Sequence, residues 1–195
     1  MESYLSGYLA RSAAAAAALA DDARARLVLH EMAHAVVAAL KSGGRVLVAG
    51  NGGSAADAQH IAAEFVSRLM FDRAPLAALA LSESGPILTA CGNDYGFEQV
   101  FARQVLALGR AGDVLLALST SGNSANLLAA AAAARAQGMI TLGFAGAAGG
   151  AMLAQFDHVF RAQDENPQIV QQLHMAAAHA VLGAVEQRMF RETPR

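Results

Sequence analysis

Ser119-Thr120-Ser121-Gly122-Asn123-Ser124 sets hydroxyls and a glycine between a short apolar run, Val114 to Leu118, and an Ala/Leu-rich helical run, Leu127 to Ala136. A strand-to-helix turn of this composition suits an anion, above all a phosphate. The first turn of a helix leaves backbone N–H groups unpaired, pointing outward with positive partial charge. Phosphate can bind there without lysine or arginine. The competing reading is a plain capping turn, since Ser and Asn cap helices of any function. Hydroxyls clustered around Gly122, which relaxes the backbone, favour the anion.

Two further groups of residues could do chemistry. His60 and Glu64, at i and i+4, share one helix face and can converge on one ligand. They follow Gly50-Asn51-Gly52-Gly53-Ser54, whose glycines let a ligand approach the backbone. A dinucleotide is the obvious rival there, but Ala55 stands where the last glycine of G-x-G-x-x-G belongs, and no acidic residue closes the next strand at the expected distance. The terminal helix carries Gln171, Gln172, His174 and His179. Gln171 and His179 are separated by roughly 12 Å along an ideal helix and by about 80° around it. One ion is hard for both to reach from a straight helix, so either the helix is irregular near its start or neighbouring subunits share the site. His30-Glu31-Met32-Ala33-His34 matches the zinc-protease pattern H-E-x-x-H. A protease needs a third ligand and a cleft, and nothing downstream supplies them, so this segment reads as an ordinary amphipathic helix.

The elements that must position these residues alternate. Residues 3–20 and 22–41 read as two helices broken near Asp21-Asp22, the first a candidate for packing on a partner subunit. Strands are expected at 45–49, 76–81, 113–118, 139–144 and 158–161. Helices are expected at 54–69, 85–90, 97–108, 127–136, 150–155 and 167–190, the last capped by Asn166 with Pro167 in its first turn. Continuous apolar strands separated by helices imply a parallel sheet covered on both faces. Ligands bind such sheets at the carboxyl ends of the strands, where this pattern puts loops at Gly50–Ser54, Asn93-Asp94 and Ser119–Ser124. One domain spans 1–195, with 1–42 as the leading helices.

Composition narrows the function classes. A net charge of −2 offers no basic field for nucleic acid. No apolar run reaches the length of a membrane span, and Met1-Glu2-Ser3 lacks a signal-peptide pattern. Cys91, the lone cysteine, excludes an internal disulfide, fits a reducing cytoplasm and reads as a small buried residue. Lys41 is the only lysine and ends a helix, which argues against a buried Schiff-base lysine. Sugar chemistry here would run on His, Glu, Asp or a metal.

Val48 to His60, Glu64, Cys91 to Phe97, Gly112 to Leu116 and Ser119 to Asn126 together resemble the sedoheptulose-7-phosphate isomerases, also called phosphoheptose isomerases, of the sugar isomerase (SIS) domain superfamily. The resemblance covers nearly the whole chain, including both leading helices and the Gln171/His179 pair. It implies a three-layer α/β/α sandwich around a five-stranded parallel sheet. It implies phosphate binding by Ser119, Thr120, Ser121 and Ser124, and sugar contacts from Asn51, Gly52, Gly53, Glu64, Asn93, Asp94 and Gln171. His60, Glu64, Gln171 and His179 match zinc ligands, one ion per subunit. Glu64 and His179 also match the acid/base pair for converting D-sedoheptulose 7-phosphate to D-glycero-D-manno-heptose 7-phosphate through an enediol. The family is typically a cytoplasmic homotetramer with sites between subunits, supplying heptose for bacterial surface polysaccharide. Gln172 stands where the family often has an acid, and Gln163 to Asn166 is less typical. A non-catalytic branch that binds the bacterial replication initiator is the rival, but it looks to have lost the positions matching Glu64 and His179. A phosphosugar-sensing regulator would need a DNA-binding segment, and none is expected from these residues.

Overall fold

Five apolar runs form strands in the computed structural model, which describes residues 1–191: β1 (Val46–Gly50), β2 (Ala78–Ala80), β3 (Val114–Ser119), β4 (Ile140–Gly146) and β5 (His158–Ala162). They pair in the order β2-β1-β3-β4-β5, every pair parallel. All of β1 and β3 is buried, as uninterrupted apolar runs require when helices cover both faces. Successive side chains leave a strand on opposite sides. Val46, Val48, Leu116, Leu118 and Phe144 thus enter one core layer, and Leu47, Ala49, Leu115, Ala117 and Ala145 the other.

The helices are α1 (Glu2–Asp21), α2 (Ala23–Lys41), α3 (Gly53–Val66), α4 (Gly85–Tyr95), α5 (Ala102–Leu108), α6 (Ala125–Ala136), α7 (Met152–Gln155) and α8 (Pro167–Phe190). Helices α2, α3 and α8 cover the first layer, while α5, α6 and α7 cover the second, joined by Leu88 and Cys91 of α4. The expected three-layer sandwich with two leading helices is therefore present. None of the described helices is long and apolar enough to cross a membrane.

Local chemistry explains the helix ends. Asp22 closes α1 and caps α2, its Oδ1 accepting from the N–H groups of Arg24 and Ala25 at 2.9 and 3.0 Å. Asn166 caps α8 in the same way.

Some boundaries differ from expectation. Helix α4 runs to Tyr95, so Asn93 and Asp94 lie in its last turn and not in a loop. The expected helix stops at residue 90, but Gly92 is carried inside α4, since one glycine within a helix costs only about 1 kcal/mol. The true stop is Gly96, whose φ of 84° with ψ 152° is an extended backbone turn open to glycine. The stretch 97–108 divides into a 3₁₀ turn, Phe97–Gln99, and α5. Strand β2 pairs on one side only and is three residues long. Cys91 is half-buried, packed on the second layer. Residues 192–195 of the expected domain lie outside the described residues.

Candidate active site

Strand order reverses between β1 and β3, which lie side by side with Gly50 paired to Leu118. Ligands on open parallel sheets bind where such neighbouring strands send their chains in opposite directions. Both loop motifs emerge there. They are tied together by a reciprocal amide pair: Asn51 Nδ2 donates to Asn126 Oδ1 at 2.9 Å, and Asn126 Nδ2 donates to Asn51 Oδ1 at 2.8 Å.

Ser119 is the buried last residue of β3. Its hydroxyl lies 2.9 Å from Ser124 Oγ and 3.4 Å from Ser121 Oγ, and it accepts from the Gly122 N–H at 3.2 Å. Thr120 is half-buried, and its carbonyl accepts from the Gly146 N–H. Gly122 has φ 69°, and a Cβ there would fall 2.1 Å from the Gly149 carbonyl oxygen, so the turn closes only with glycine. Ser124 is the residue before α6, yet its side chain makes no capping bond to that helix. The plain capping reading therefore fails at this position. Its hydroxyl is committed to the serine cluster, and the first turn of α6 keeps N–H groups without a side-chain cap.

Helix α3 begins at Gly53, straight after the first loop, and presents His60 and Glu64 two and three turns along. Helix α8 crosses it and brings His179. The Nε2 atoms of His60 and His179 are 3.2 Å apart. Glu64 lies between them, with Oε1 3.2 Å from His60 Nε2 and Oε2 3.4 Å from His179 Nε2. One ligand atom from each of the three residues falls within 4.8 Å of the others. Among the described residues no other group of three His, Cys, Asp or Glu side chains does so. Glu64 Oε2 is also buried with no hydrogen-bond partner. A carboxylate with one orphaned oxygen, set against two imidazoles, could hold a metal ion.

Helix α8 is continuous from Pro167 to Phe190, and the cluster assembles within one chain. Gln171 does not bond to the cluster: its Nε2 donates to Asp57 Oδ2 at 2.9 Å. It packs on the first loop, where a Cβ at Gly53 would come within 2.5 Å of its amide. Asp57, Gln171 and His179 line one cavity of about 550 Å³. Burial raises the Asp57 pKa, against the opposing effects of the Gln171 hydrogen bond and of His60. Asn93 and Asp94 are exposed and bond to each other at 2.8 Å.

Sequence reasoning missed Asp57 and underused Asn126. Asp57 sits three residues before His60, on the same helix face, which was a readable signal. The H-E-x-x-H segment is no metal centre here: Glu31 pairs with His158 Nδ1 at 3.2 Å, and His30 and His34 form an exposed ring pair.

The SIS domain model matches residues 8–146. The phosphoheptose isomerase of Burkholderia pseudomallei (strain 1710b) is 47% identical over 187 residues, covering 96% of this chain and 95% of that one. The solved phosphoheptose isomerase of Neisseria gonorrhoeae superposes with a TM-score of 0.89 at 37% identity, over 95% of this chain and 98% of its own. That of Francisella tularensis gives 0.89 at 34% identity, over 94% and 97%. Strand order, loop chemistry and end-to-end similarity agree: the chain belongs to the SIS domain family and, within it, to the phosphoheptose isomerases.

Proposed function

We propose that this isomerase converts D-sedoheptulose 7-phosphate to D-glycero-D-manno-heptose 7-phosphate, with Glu64 and His179 as its acid/base pair. The observation that carries the reading is the convergence of Glu64 with two imidazoles from separate helices, in a chain whose serine loop leaves helix N–H groups without a side-chain cap. The substrate has matching ends: a phosphate on C7, and the reacting carbons C1 and C2 at the far end.

Ketose–aldose isomerisation moves a proton between adjacent carbons and needs a base and an acid that trade roles. Glu64 takes the proton from C1 and returns it to C2. His179 gives a proton to the C2 oxygen and recovers one from the C1 oxygen, so no proton is gained or lost. Ser119, Thr120, Ser121 and Ser124 hold the phosphate, while Asn51, Gly52, Gly53, Asn93, Asp94 and Gln171 shape the sugar pocket. His60, Glu64 and His179 would hold zinc, with Gln171 completing the set if it leaves Asp57. Bound zinc supplies charge that polarises a carbonyl oxygen and stabilises developing negative charge. Glu64 faces His60 with one oxygen and His179 with the other, so one oxygen can hold the cation while the other meets the substrate.

The test is turnover followed by NMR of the sugar. Formation of the aldose supports the reading, and no conversion with or without added zinc sinks it. The product would feed nucleotide-activated heptose for surface polysaccharide. We also infer a homotetramer with a cytoplasmic site of action, since sugar phosphates do not cross membranes unaided. Helix α1 buries none of its residues and exposes Tyr4, Leu5 and Leu9, an apolar face suited to a partner subunit. Leu5→Glu with Leu9→Glu should reduce the particle mass in light scattering, and an unchanged mass would remove α1 from the interface.

A further inference from the structure

We infer that Arg73 and Glu186, which touch neither substrate nor cation, are positioning residues that set the gap between Glu64 and His179. The inference rests on the isomerase reading above.

Glu64 and Phe65 fall in the last turn of α3, where helix carbonyls lack intrahelical partners. Arg73 donates to both: its Nη2 to the Glu64 carbonyl at 2.8 Å and its Nη1 to the Phe65 carbonyl at 2.7 Å, which also accepts from the Leu76 N–H at 3.0 Å. The same guanidinium donates through Nε to Glu186 Oε1 at 3.0 Å. The side chains are 3% and 2% exposed. Glu186 also accepts from the backbone N–H groups of Leu69 and Met70, at 3.0 and 2.8 Å. Burial alone would raise its pKa, but these N–H groups and the guanidinium hold it below the usual range, so it stays ionised.

Glu186 stands two turns beyond His179 on α8, roughly 10 Å along the axis. Helices α3 and α8 are therefore tied on both sides of the cluster: by the Asp57–Gln171 hydrogen bond before the Glu64–His179 contact and by this clamp beyond it. The clamp holds the Glu64 backbone itself. A planar fork with its hydrogen bonds filled in three directions resists the small sliding that a single ion pair permits. Misplacing a catalytic group by about 1 Å can cost 10²-fold in rate.

The test compares three variants with wild type, whose own turnover is the control for the isomerase reading. Arg73→Lys keeps the charge but cannot reach both carbonyls and Glu186 together. Glu186→Gln keeps one acceptor. Arg73→Met with Glu186→Leu replaces the buried pair with apolar groups of similar size, a change that often leaves stability intact. Each folded variant should lose about tenfold or more in kcat at unchanged KM, because the phosphate loop is untouched. The Co²⁺ absorption spectrum of the folded protein should shift or weaken, since the cluster geometry relaxes. Wild-type kcat and an unaltered Co²⁺ spectrum in any folded variant overturn the proposal. So does an activity loss in all three that merely tracks the folded fraction. If wild type itself turns over no substrate, the isomerase reading has failed, and the Co²⁺ spectra alone still decide the clamp.

Discussion

His60 and His179 meet nitrogen to nitrogen, their Nε2 atoms 3.2 Å apart although the residues are 119 positions apart in the chain. A neutral imidazole carries one N–H and one lone pair. Both nitrogens also face oxygens of Glu64, so a stable arrangement needs either protons directed at the carboxylate or a cation shared by all three. A cation held by this cluster would require His60, whereas proton transfer by Glu64 and His179 alone would not. His60→Ala should therefore lower both the zinc content of the purified protein and kcat, by about tenfold or more. Full activity with the zinc lost would show that the metal is dispensable.

Glu64→Gln separates the base from the scaffold. The amide keeps the side-chain volume but cannot take a proton from carbon. Turnover should fall by a factor of about 10² or more, while the far-ultraviolet circular dichroism and melting temperature stay close to wild type. An undiminished rate removes Glu64 from the mechanism.

Much of this site was readable in the chain, and what was not has physical reasons. The strands stand out because their faces are both buried, which leaves short runs such as Val46 to Ala49 with no polar break. The N-terminus of α8 is legible because Asn166 and Pro167 satisfy or remove orphan N–H groups locally. The Asn93-Asp94 turn is misread because glycine in a helix and glycine at its end look alike, and only φ tells them apart. Asn51 with Asn126 and Arg73 with Glu186 are joined by tertiary geometry over 75 and 113 positions. No local periodicity records such pairs. Gln171 matched a ligand position, but whether it reaches a cation depends on a side-chain choice between the cluster and Asp57.

The serine loop makes its own prediction. Ser121→Ala with Ser124→Ala removes two hydroxyls from the turn and leaves the Glu64 cluster intact. A hydrogen bond to a charged group contributes about 1.5–3 kcal/mol, so KM should rise roughly tenfold or more while kcat changes little. Inhibition by inorganic phosphate should weaken in parallel. An unchanged KM would move the phosphate elsewhere.

His174 predicts a pH dependence of stability. It is fully buried, with its ring edge-on to Phe144 and Phe160. Its Nε2 donates to the Ala145 carbonyl at 3.1 Å, while Nδ1 is buried without a partner. Burial therefore lowers its pKa from 6.5 to about 4, against the weaker opposing pull of that hydrogen bond. Between those values the unfolded chain binds a proton that the folded protein refuses, so stability is complete above about pH 6.5 and is lost as pH falls toward 4. From pH 7 to pH 5 this one group should cost about 2 kcal/mol of unfolding free energy. Urea unfolding of wild type and His174→Gln at both pH values isolates it, because every other titrating group is common to the two. The variant should be less stable at pH 7, having lost a well-packed ring, yet should fall less between the two pH values. Equal falls would mean that His174 takes up its proton in the folded state as readily as in the unfolded one, and that its unpaired nitrogen has a partner after all.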